Sequence, residues 1–154
     1  PYLEWARNGF IELTEGDVQD YDFIRKKIND LSLQYRIKSI AYDRWNASQL
    51  VIQLQDDGAN LSPFGMGYVS QSAPTKEMEK MVLKKLLVHG GNPVLRWQMQ
   101  NVQLKIDPAS NCKVDKAKSS EKVDGVISTI MSIGEWMLSD TKGSVYDQRG
   151  IIAL

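Results

Sequence analysis

The feature that most constrains the fold is a strand followed at once by a helix. Ile37–Tyr42 has the apolar character of a strand, and Asp43 ends it. Asn46 has the residue type of a helix N-cap, with Gln49 three residues on as its capping-box partner. A helix is therefore predicted over Ala47–Gln55. This pattern predicts an α/β protein in which an acid is fixed between a strand and a helix.

Asp43 is a candidate ligand for a hard cation. A strand tip leaves its side chain at the open edge of the sheet, and Mg²⁺ and Mn²⁺ prefer oxygen donors on a rigid frame. The alternative is a solvated turn residue beside Arg44. Arg44 itself could bind phosphate, or it could help Trp45 to fix the entry of the helix.

A second candidate acid, Asp124, lies near the start of a strongly periodic segment. The segment predicts a helix over Ser119–Leu138, and Asp124 borders its buried face, so we expect the carboxylate to point along the sheet. The alternative is an acid that complements the helix dipole. The predicted buried face consists of residues at helical spacing: Val123, Ile127, Ile130, Met131, Gly134, Met137 and Leu138.

Four lysines crowd the approach to this second acid, with only Asp115 and Glu121 among them. A site that cuts phosphodiester bonds needs basic side chains to hold the nucleic-acid backbone and acidic side chains to hold metal, and this grouping fits that need. A solvated loop is the alternative. The lysines are Lys113, Lys116, Lys118 and Lys122.

Three other polar residues are weaker candidates. His89 could contact phosphate, but a histidine at a helix C-terminus that interacts with the dipole is the favoured interpretation. Asp107 and Asp115 could assist a metal, although turn residues are the more common role.

The rest of the chain alternates strands and helices, which predicts a mixed α/β sheet with helices on its faces. Carboxyl ends of strands are where such sheets place their sites, and Asp43 falls there. The predicted strands are Gly9–Leu13, Gly65–Ser70 and Asn101–Ile106, and the predicted helices are Tyr21–Tyr35, Thr75–Val88 and Pro93–Gln100. Asp20 is the predicted N-cap of the first of these helices and Asn92 that of the last, which Pro93 begins. Gly58 is a predicted stop after the helix at Ala47–Gln55, and Asp107–Lys118 is a predicted polar loop.

Composition excludes several kinds of site. Lys and Arg together number 19, as do Asp and Glu, so net charge gives no support for nucleic-acid binding. Cys112 is the only cysteine and His89 the only histidine, which excludes an intrachain disulfide, a cysteine-built zinc site and a two-histidine motif. The apolar runs are too short to span a membrane, and the sequence shows no signal-peptide pattern. Both observations favour a location in a reducing cytoplasm.

Three strings, AYDRWNA, HGGNPVLRW and DKAKSSEKVDG, occur in this order along the chain. Together they resemble the nuclease domain of the tailed-phage terminase large subunit. An N-terminal pattern and the Ser70–Glu77 region are also similar, and the resemblance runs from about Tyr2 to Met137. The N-terminal pattern comprises Tyr2, Trp5, Gly9, Phe10, Ile11, Thr14 and Gly16.

The resemblance implies a ribonuclease-H-like fold and a two-metal site holding Mg²⁺ or Mn²⁺ that cuts concatemeric phage DNA. Residue by residue, Asp43 and Asp124 match the family's second and third metal-binding acids. The first acid lies upstream of the tyrosine–tryptophan–glycine segment, and the sequence begins at Pro1, so we expect the first strand and its acid to be missing. The expected organisation is a partial nuclease domain over residues 1–138 and a C-terminal tail over 139–154.

The resemblance also implies partners: double-stranded DNA, the ATPase domain of the same full-length chain, the portal protein and the terminase small subunit. It implies no membrane and a location in the cytoplasm of the infected host bacterium. No phosphate-binding loop motif occurs, so the ATPase motor is not in this sequence. Two alternatives stay open: a non-cleaving module that grips DNA or docks on the portal or motor, and another ribonuclease-H-like enzyme such as a transposase or resolvase.

Overall fold

A computed structural model describes residues 1–44 and 48–141, without the side chains of Ser48, Asp140 and Thr141. Within these ranges the chain forms six helices and four short strands. The helices are α1 (Tyr2–Arg7), α2 (Tyr21–Gln34), α3 (Ser48–Asp56), α4 (Tyr68–Leu83), α5 (Pro93–Asn101) and α6 (Asp124–Thr141). The strands are β1 (Ile40–Asp43), β2 (Leu61–Phe64), β3 (Leu104–Ile106) and β4 (Cys112–Val114).

The α/β class is confirmed, but the described strands form two separate pairs rather than one mixed sheet. β1 and β2 are parallel, with Ile40 opposite Leu61 and Asp43 opposite Phe64. β3 and β4 form an antiparallel hairpin.

The hairpin stays separate because helix α4 satisfies the outer edge of β4. The backbone N–H of Cys112 donates to Ser72 Oγ at 3.2 Å, and that of Val114 donates to Gln71 Oε1 at 3.1 Å. Both acceptors are buried polar side chains. A strand edge that is bonded to side chains in this way cannot also pair with another strand.

The core lies around α6, which packs against α4, α5 and β1. Ile130 and Val126 are the most completely buried large side chains. The remaining core residues are Phe64, Met78, Val114, Val123, Ile127, Met131 and Ile133, and Ala41 of β1 packs on them. The apolar periodicity of residues 123–138 thus correctly identified the central helix, although Leu138 is exposed.

Gly134 lets the sheet approach this helix closely. A Cβ atom built on Gly134 would lie 2.8 Å from a ring carbon of Phe64 and 3.5 Å from Pro74. The absence of a side chain therefore allows the Phe64 ring to pack directly on the α6 backbone.

The N-terminal segment, residues 1–37, has few apolar contacts. Trp5 is its one buried residue, in edge-to-face contact with Tyr2 and Trp97. The predicted strand at Gly9–Leu13 is wrong, because α1 occupies Tyr2–Arg7 and the following residues form turns and irregular backbone.

Other predicted boundaries also differ from the structure. The strand expected at Gly65–Ser70 lies earlier, at Leu61–Phe64. The helix expected over Thr75–Val88 is α4, which begins earlier, at Tyr68 with Gly67 as its N-cap, and ends earlier, at Leu83. The segment expected to be a polar loop after Asp107 contains β4, which is short and polar in the middle and so gives little periodic signal.

The cap predictions succeed where the structure describes them. Asp20 accepts from Phe23 N at 2.9 Å, and Asn92 accepts from Leu95 N at 3.0 Å. Gly58 ends the α3 region with a φ of +89°. The predicted cap at Asn46 and the contact at Trp45 lie outside the described residues, as does the tail beyond Thr141.

None of the helices in the described ranges has the length and apolar character needed to cross a membrane.

Candidate metal and nucleic-acid site

Asp43 is the last residue of β1, as the sequence predicts. Its side chain is half-buried, and its backbone is in register with Phe64 at the end of β2. Since the two strands are parallel, their carboxyl ends lie at the same edge of the sheet. Arg44 follows directly and is exposed.

Asp124 is the first residue of α6 rather than a residue in its first turns. Its side chain is 64% exposed, so the expected orientation along the sheet is wrong; residues 119–123 precede the helix and leave the carboxylate open to solvent. The next residue, Gly125, donates its N–H to Gln98 Oε1 at 2.6 Å. Gln98 of α5 therefore caps the helix end that carries Asp124.

Of the four predicted lysines, Lys116 contacts the acid. Its Nζ atom lies 2.8 Å from Asp124 Oδ1, in an exposed ion pair. An exposed pair of this kind contributes little to stability, about 0.2–1 kcal/mol. Its consequence is local, because it places a cation directly beside a carboxylate.

The other three lysines have different surroundings. Lys113 lies on β4, with Nζ 5.4 Å from the centre of the Tyr68 ring at the start of α4. Lys118 and Lys122 are exposed on the segment between β4 and α6. Of the four lysines, Lys116 is therefore the one shown in contact with Asp124.

The weaker candidates have structural roles. Asp107 accepts two hydrogen bonds from Asn111, and those bonds lower the pKa of the Asp107 carboxyl group. Asp115 accepts from the N–H groups of Ala117 and Lys118. Both are turn residues. His89 is exposed in the loop after α4, six residues beyond Leu83, which is too far for the expected interaction with the helix dipole.

Sequence reasoning missed one polar cluster. Glu135 of α6 accepts hydrogen bonds from Ser39 Oγ at 2.9 Å and from Ser62 Oγ at 2.6 Å. These serines belong to the two sides of the parallel pair. A signal existed, because Glu135 lies eleven residues after Asp124 and therefore on the same helix face, but it is visible only once the helix is known.

The donor chemistry of Asp43 and Asp124 fits an oxygen-ligated divalent cation such as Mg²⁺ or Mn²⁺. Asp43 is on a rigid strand, and Asp124 is on a capped helix that packs against the same strand. Across the described ranges, no three acidic, histidine or cysteine side chains group closely enough to hold a metal. A metal site built on these two acids would therefore need donors beyond them.

Comparison with known protein families gives a match to the terminase large subunit endonuclease domain over residues 1–140. The match covers every element from α1 to all but the last residue of α6.

Individual proteins agree with this match. The chain is 30% identical to the terminase large subunit of Enterobacteria phage HK97 over 152 residues, and 26% identical to protein YmfN of Escherichia coli K12 over 148 residues. The crystal structure of the HK97 large terminase superimposes with a TM-score of 0.81 at 31% identity, over 88% of this chain and 29% of that one. The sequence matches cover 97% and 95% of this chain but span only 29% and 32% of the two relatives.

Proposed function

The chain belongs to the family of terminase large subunit endonuclease domains, and we propose that it cuts concatemeric genomic DNA as the metal-dependent nuclease domain of a phage DNA-packaging motor. We include in this proposal a ribonuclease-H-like fold and the organisation of residues 1–138 as the nuclease part, followed by a tail. The observation that carries the proposal is an acid at the end of β1 and another at the start of α6, in a chain with this family match.

In this proposal Asp43 and Asp124 meet at one edge of the molecule. Ser39, just before β1, is bonded to Glu135 of α6. From Ser39 to Asp43 the strand advances roughly 13 Å, and from Glu135 back to Asp124 the helix covers roughly 16 Å. These similar lengths support a common position for the two acids, with α6 running back along β1.

Asp43 and Asp124 would hold the metal through carboxylate oxygens. Two Mg²⁺ or Mn²⁺ ions, when bound, would lower the pKa of the attacking water and stabilise the leaving oxygen. Lys116 bonds one oxygen of Asp124, which keeps a cation next to that carboxylate.

A third acid would come from outside the described residues, and the geometry of β1 supports a position for it. The N–H of Ile40 donates toward β2, so alternation places the backbone groups of Ala41 on the opposite edge. Pro63 lies on the outer side of β2, where it offers no N–H. A further strand would therefore pair with β1, beside Asp43.

Double-stranded DNA is the proposed substrate, held through its phosphates by basic side chains near the two acids. Lys116 is already beside Asp124, and Lys113 is fixed over an aromatic ring. The exposed residues of the same group are Arg44, Lys118 and Lys122.

The proposed partners are the ATPase domain of the full-length polypeptide, the portal protein and the terminase small subunit, in the cytoplasm of the infected host bacterium. The similarity to the HK97 large subunit, of which this chain spans 29%, supports an assembly with further domains.

Calorimetric titration with Mn²⁺ tests the site. We expect weak binding to the parent chain and loss of binding in Asp43→Asn and in Asp124→Asn. Each change removes a charge but preserves shape, so circular dichroism should show the fold intact. Glu79→Ala, at an exposed position of α4, is the matched control and should bind as the parent does. Unchanged binding in both asparagine variants would contradict the site.

A second candidate function is a non-cleaving module that grips DNA or docks on the portal or motor. The specific observation in its favour is that the described residues contain no group of three side chains that could hold a metal. Nicking of supercoiled plasmid by the full-length polypeptide, which would supply the third acid, separates the two functions. Strand cleavage that requires Mn²⁺ and both Asp43 and Asp124 supports the nuclease, whereas DNA binding that is indifferent to both acids supports the gripping module.

A further inference from the structure

Glu135 joins three elements at a point away from the acids of the proposed site. Its two carboxylate oxygens accept one hydrogen bond each, from Ser39 next to β1 and from Ser62 within β2. The contacts are part-buried, and the carboxylate is charged, so each bond is stronger than one between neutral groups. The three side chains fix α6 against both strands of the parallel pair.

Glu135 and Asp124 lie on the same face of α6. They are eleven residues apart, which is about three turns at 3.6 residues per turn, with an angular offset of about 20°. Because a helix is rigid over this length, a rotation at Glu135 becomes a rotation at Asp124. The bonds to Ser39 and Ser62 therefore set the direction in which the first residue of α6 faces.

The end of α6 that carries Asp124 has no comparable pair of hydrogen bonds to the parallel strands among the bonds described. Asp124 is bonded to Lys116 in an exposed pair, and Gly125 is bonded to Gln98 through its backbone. Neither contact links α6 to β1, the strand that carries Asp43. Glu135, in contrast, makes a polar link between α6 and Ser39, the residue that directly precedes this strand.

We propose that Glu135 is a positioning residue, which holds α6 in the rotation and register that bring Asp124 to Asp43. This inference rests on the proposed metal site. Glu135 itself would not touch metal or DNA. Its effect would pass through the helix, in the way that outer-shell hydrogen bonds orient metal ligands.

The experiment is Mn²⁺ titration of the 154-residue chain with substitutions at this cluster. Glu135→Ala should weaken Mn²⁺ affinity by about 10-fold, the range found for outer-shell partners of metal ligands. Glu135→Gln should retain most of the affinity, since an amide can accept from one hydroxyl group and donate to the other. The double variant Ser39→Ala/Ser62→Ala removes the same two hydrogen bonds and should weaken Mn²⁺ affinity as Glu135→Ala does. It can therefore replace Glu135→Ala in the test if that variant does not fold.

A stability control separates positioning from a purely structural role. Ile133→Ala removes a buried side chain two residues away and lowers the melting temperature without touching the cluster. We expect its Mn²⁺ affinity to equal that of the parent chain at a temperature where it is folded. Equal losses of affinity in Ile133→Ala and Glu135→Ala would overturn the positioning role.

Mn²⁺ binding by the Asp43 and Asp124 variants distinguishes a failure of the metal-site proposal from a failure of the proposed role of Glu135. If Asp43→Asn and Asp124→Asn abolish Mn²⁺ binding while Glu135→Ala binds as the parent does, the site stands and the role of Glu135 is refuted. If neither asparagine variant changes binding, the metal site itself is refuted. Mn²⁺ affinity that is kept in Glu135→Gln but weakened in Glu135→Ala supports both proposals.

Discussion

Residues 1–37 and residues 40–139 contain similar apolar side chains, but only the second region buries them in a core. The nine residues of the main cluster all lie between Phe64 and Ile133. In the first region Trp5 alone is buried, while Val18 is 82% exposed and Leu33 is 89% exposed. Burial of apolar surface therefore stabilises the second region far more than the first.

Polar contacts hold the N-terminal region in place of burial. Arg25 of α2 makes a two-point ion pair with Asp57 after α3, and its Nε atom lies 2.6 Å from Asp57 Oδ2. Asn29 donates to the same carboxylate at 2.8 Å. Lys27 pairs with Glu12. The position of α2 thus depends on charges that solvent can reach, and so on pH and salt.

The difference bears on function, because the proposed site lies in the well-packed region. Asp43 ends a strand that packs on the core, and Asp124 begins the helix that forms the centre of that core. Sites need ligands held to within fractions of an ångström, which a packed core supplies.

The sharpest test of this contrast compares two aliphatic truncations. Ile130→Ala should lower the free energy of unfolding by about 2–5 kcal/mol, the cost of a cavity in a packed core. Leu33→Ala should change it by less than about 0.5 kcal/mol, as for other exposed positions. Urea unfolding followed by circular dichroism measures both. Comparable losses in the two variants would show that residues 1–37 are packed against something in solution.

How far the sequence predicted the fold depends on the periodicity of each segment. The helix at α6 was predicted because its apolar residues repeat over five turns, and α2 and α5 were located by Asp20, Asn92 and Pro93. β3 lies inside the strand predicted at Asn101–Ile106, whereas β4 carries only three residues, too few for alternation to be visible. The separation of the hairpin from the parallel pair depends on Gln71 and Ser72, whose roles appear only in three dimensions.

The positions of the two candidate acids in the fold were more predictable than their environment. The strand-then-acid pattern placed Asp43 correctly, and the family strings identified Asp124. The start of α6 could not be placed from the sequence, because Ser119 and Glu121 suit a helix start as well as Asp124 does. The exposed orientation of Asp124 and the cluster at Glu135 depend on tertiary contacts, and the helix spacing that relates Asp124 to Glu135 becomes a signal only once the helix is known.

The second prediction extends the contrast to DNA affinity. Replacing all four lysines near α6 by serine should weaken binding to a duplex by at least about 10-fold and flatten its salt dependence, since each lost phosphate contact lowers the slope by about 0.9. The four are Lys113, Lys116, Lys118 and Lys122.

Fluorescence anisotropy across a salt series measures this effect against two controls. A triple change at Lys76, Lys80 and Lys84 on and just after α4 should matter less, and so should a double change at Lys26 and Lys27 of the N-terminal region. Equal effects from all three sets would mean that DNA binding is diffuse and that the lysines near Asp124 are part of a solvated loop.

The smallest expected effect is a pH dependence confined to the N-terminal region. Hydrogen bonds from Arg25, and then from Asn29, lower the pKa of Asp57 to about 2 from its ordinary 3.8. A carboxyl group whose pKa is depressed in the folded state stabilises that state above its ordinary pKa and loses the contribution as pH falls toward the lowered value. The link between α2 and α3 should therefore be intact at pH 5 and weaken between about pH 4 and pH 2.

Arg25→Ala tests this dependence with the ion pair removed. Its melting temperature should lie slightly below that of the parent chain at pH 5. Most of this gap should be lost by pH 2, because the stabilisation from a carboxyl group with a depressed pKa is nearly gone once the pH has fallen to that pKa. Asp57→Asn should show the same small loss at pH 5 with no further change attributable to this position on acidification. Differential scanning calorimetry across this range measures all three proteins. A gap that stays constant down to pH 2 would mean that packing, rather than the Arg25–Asp57 pair, holds α2 in place.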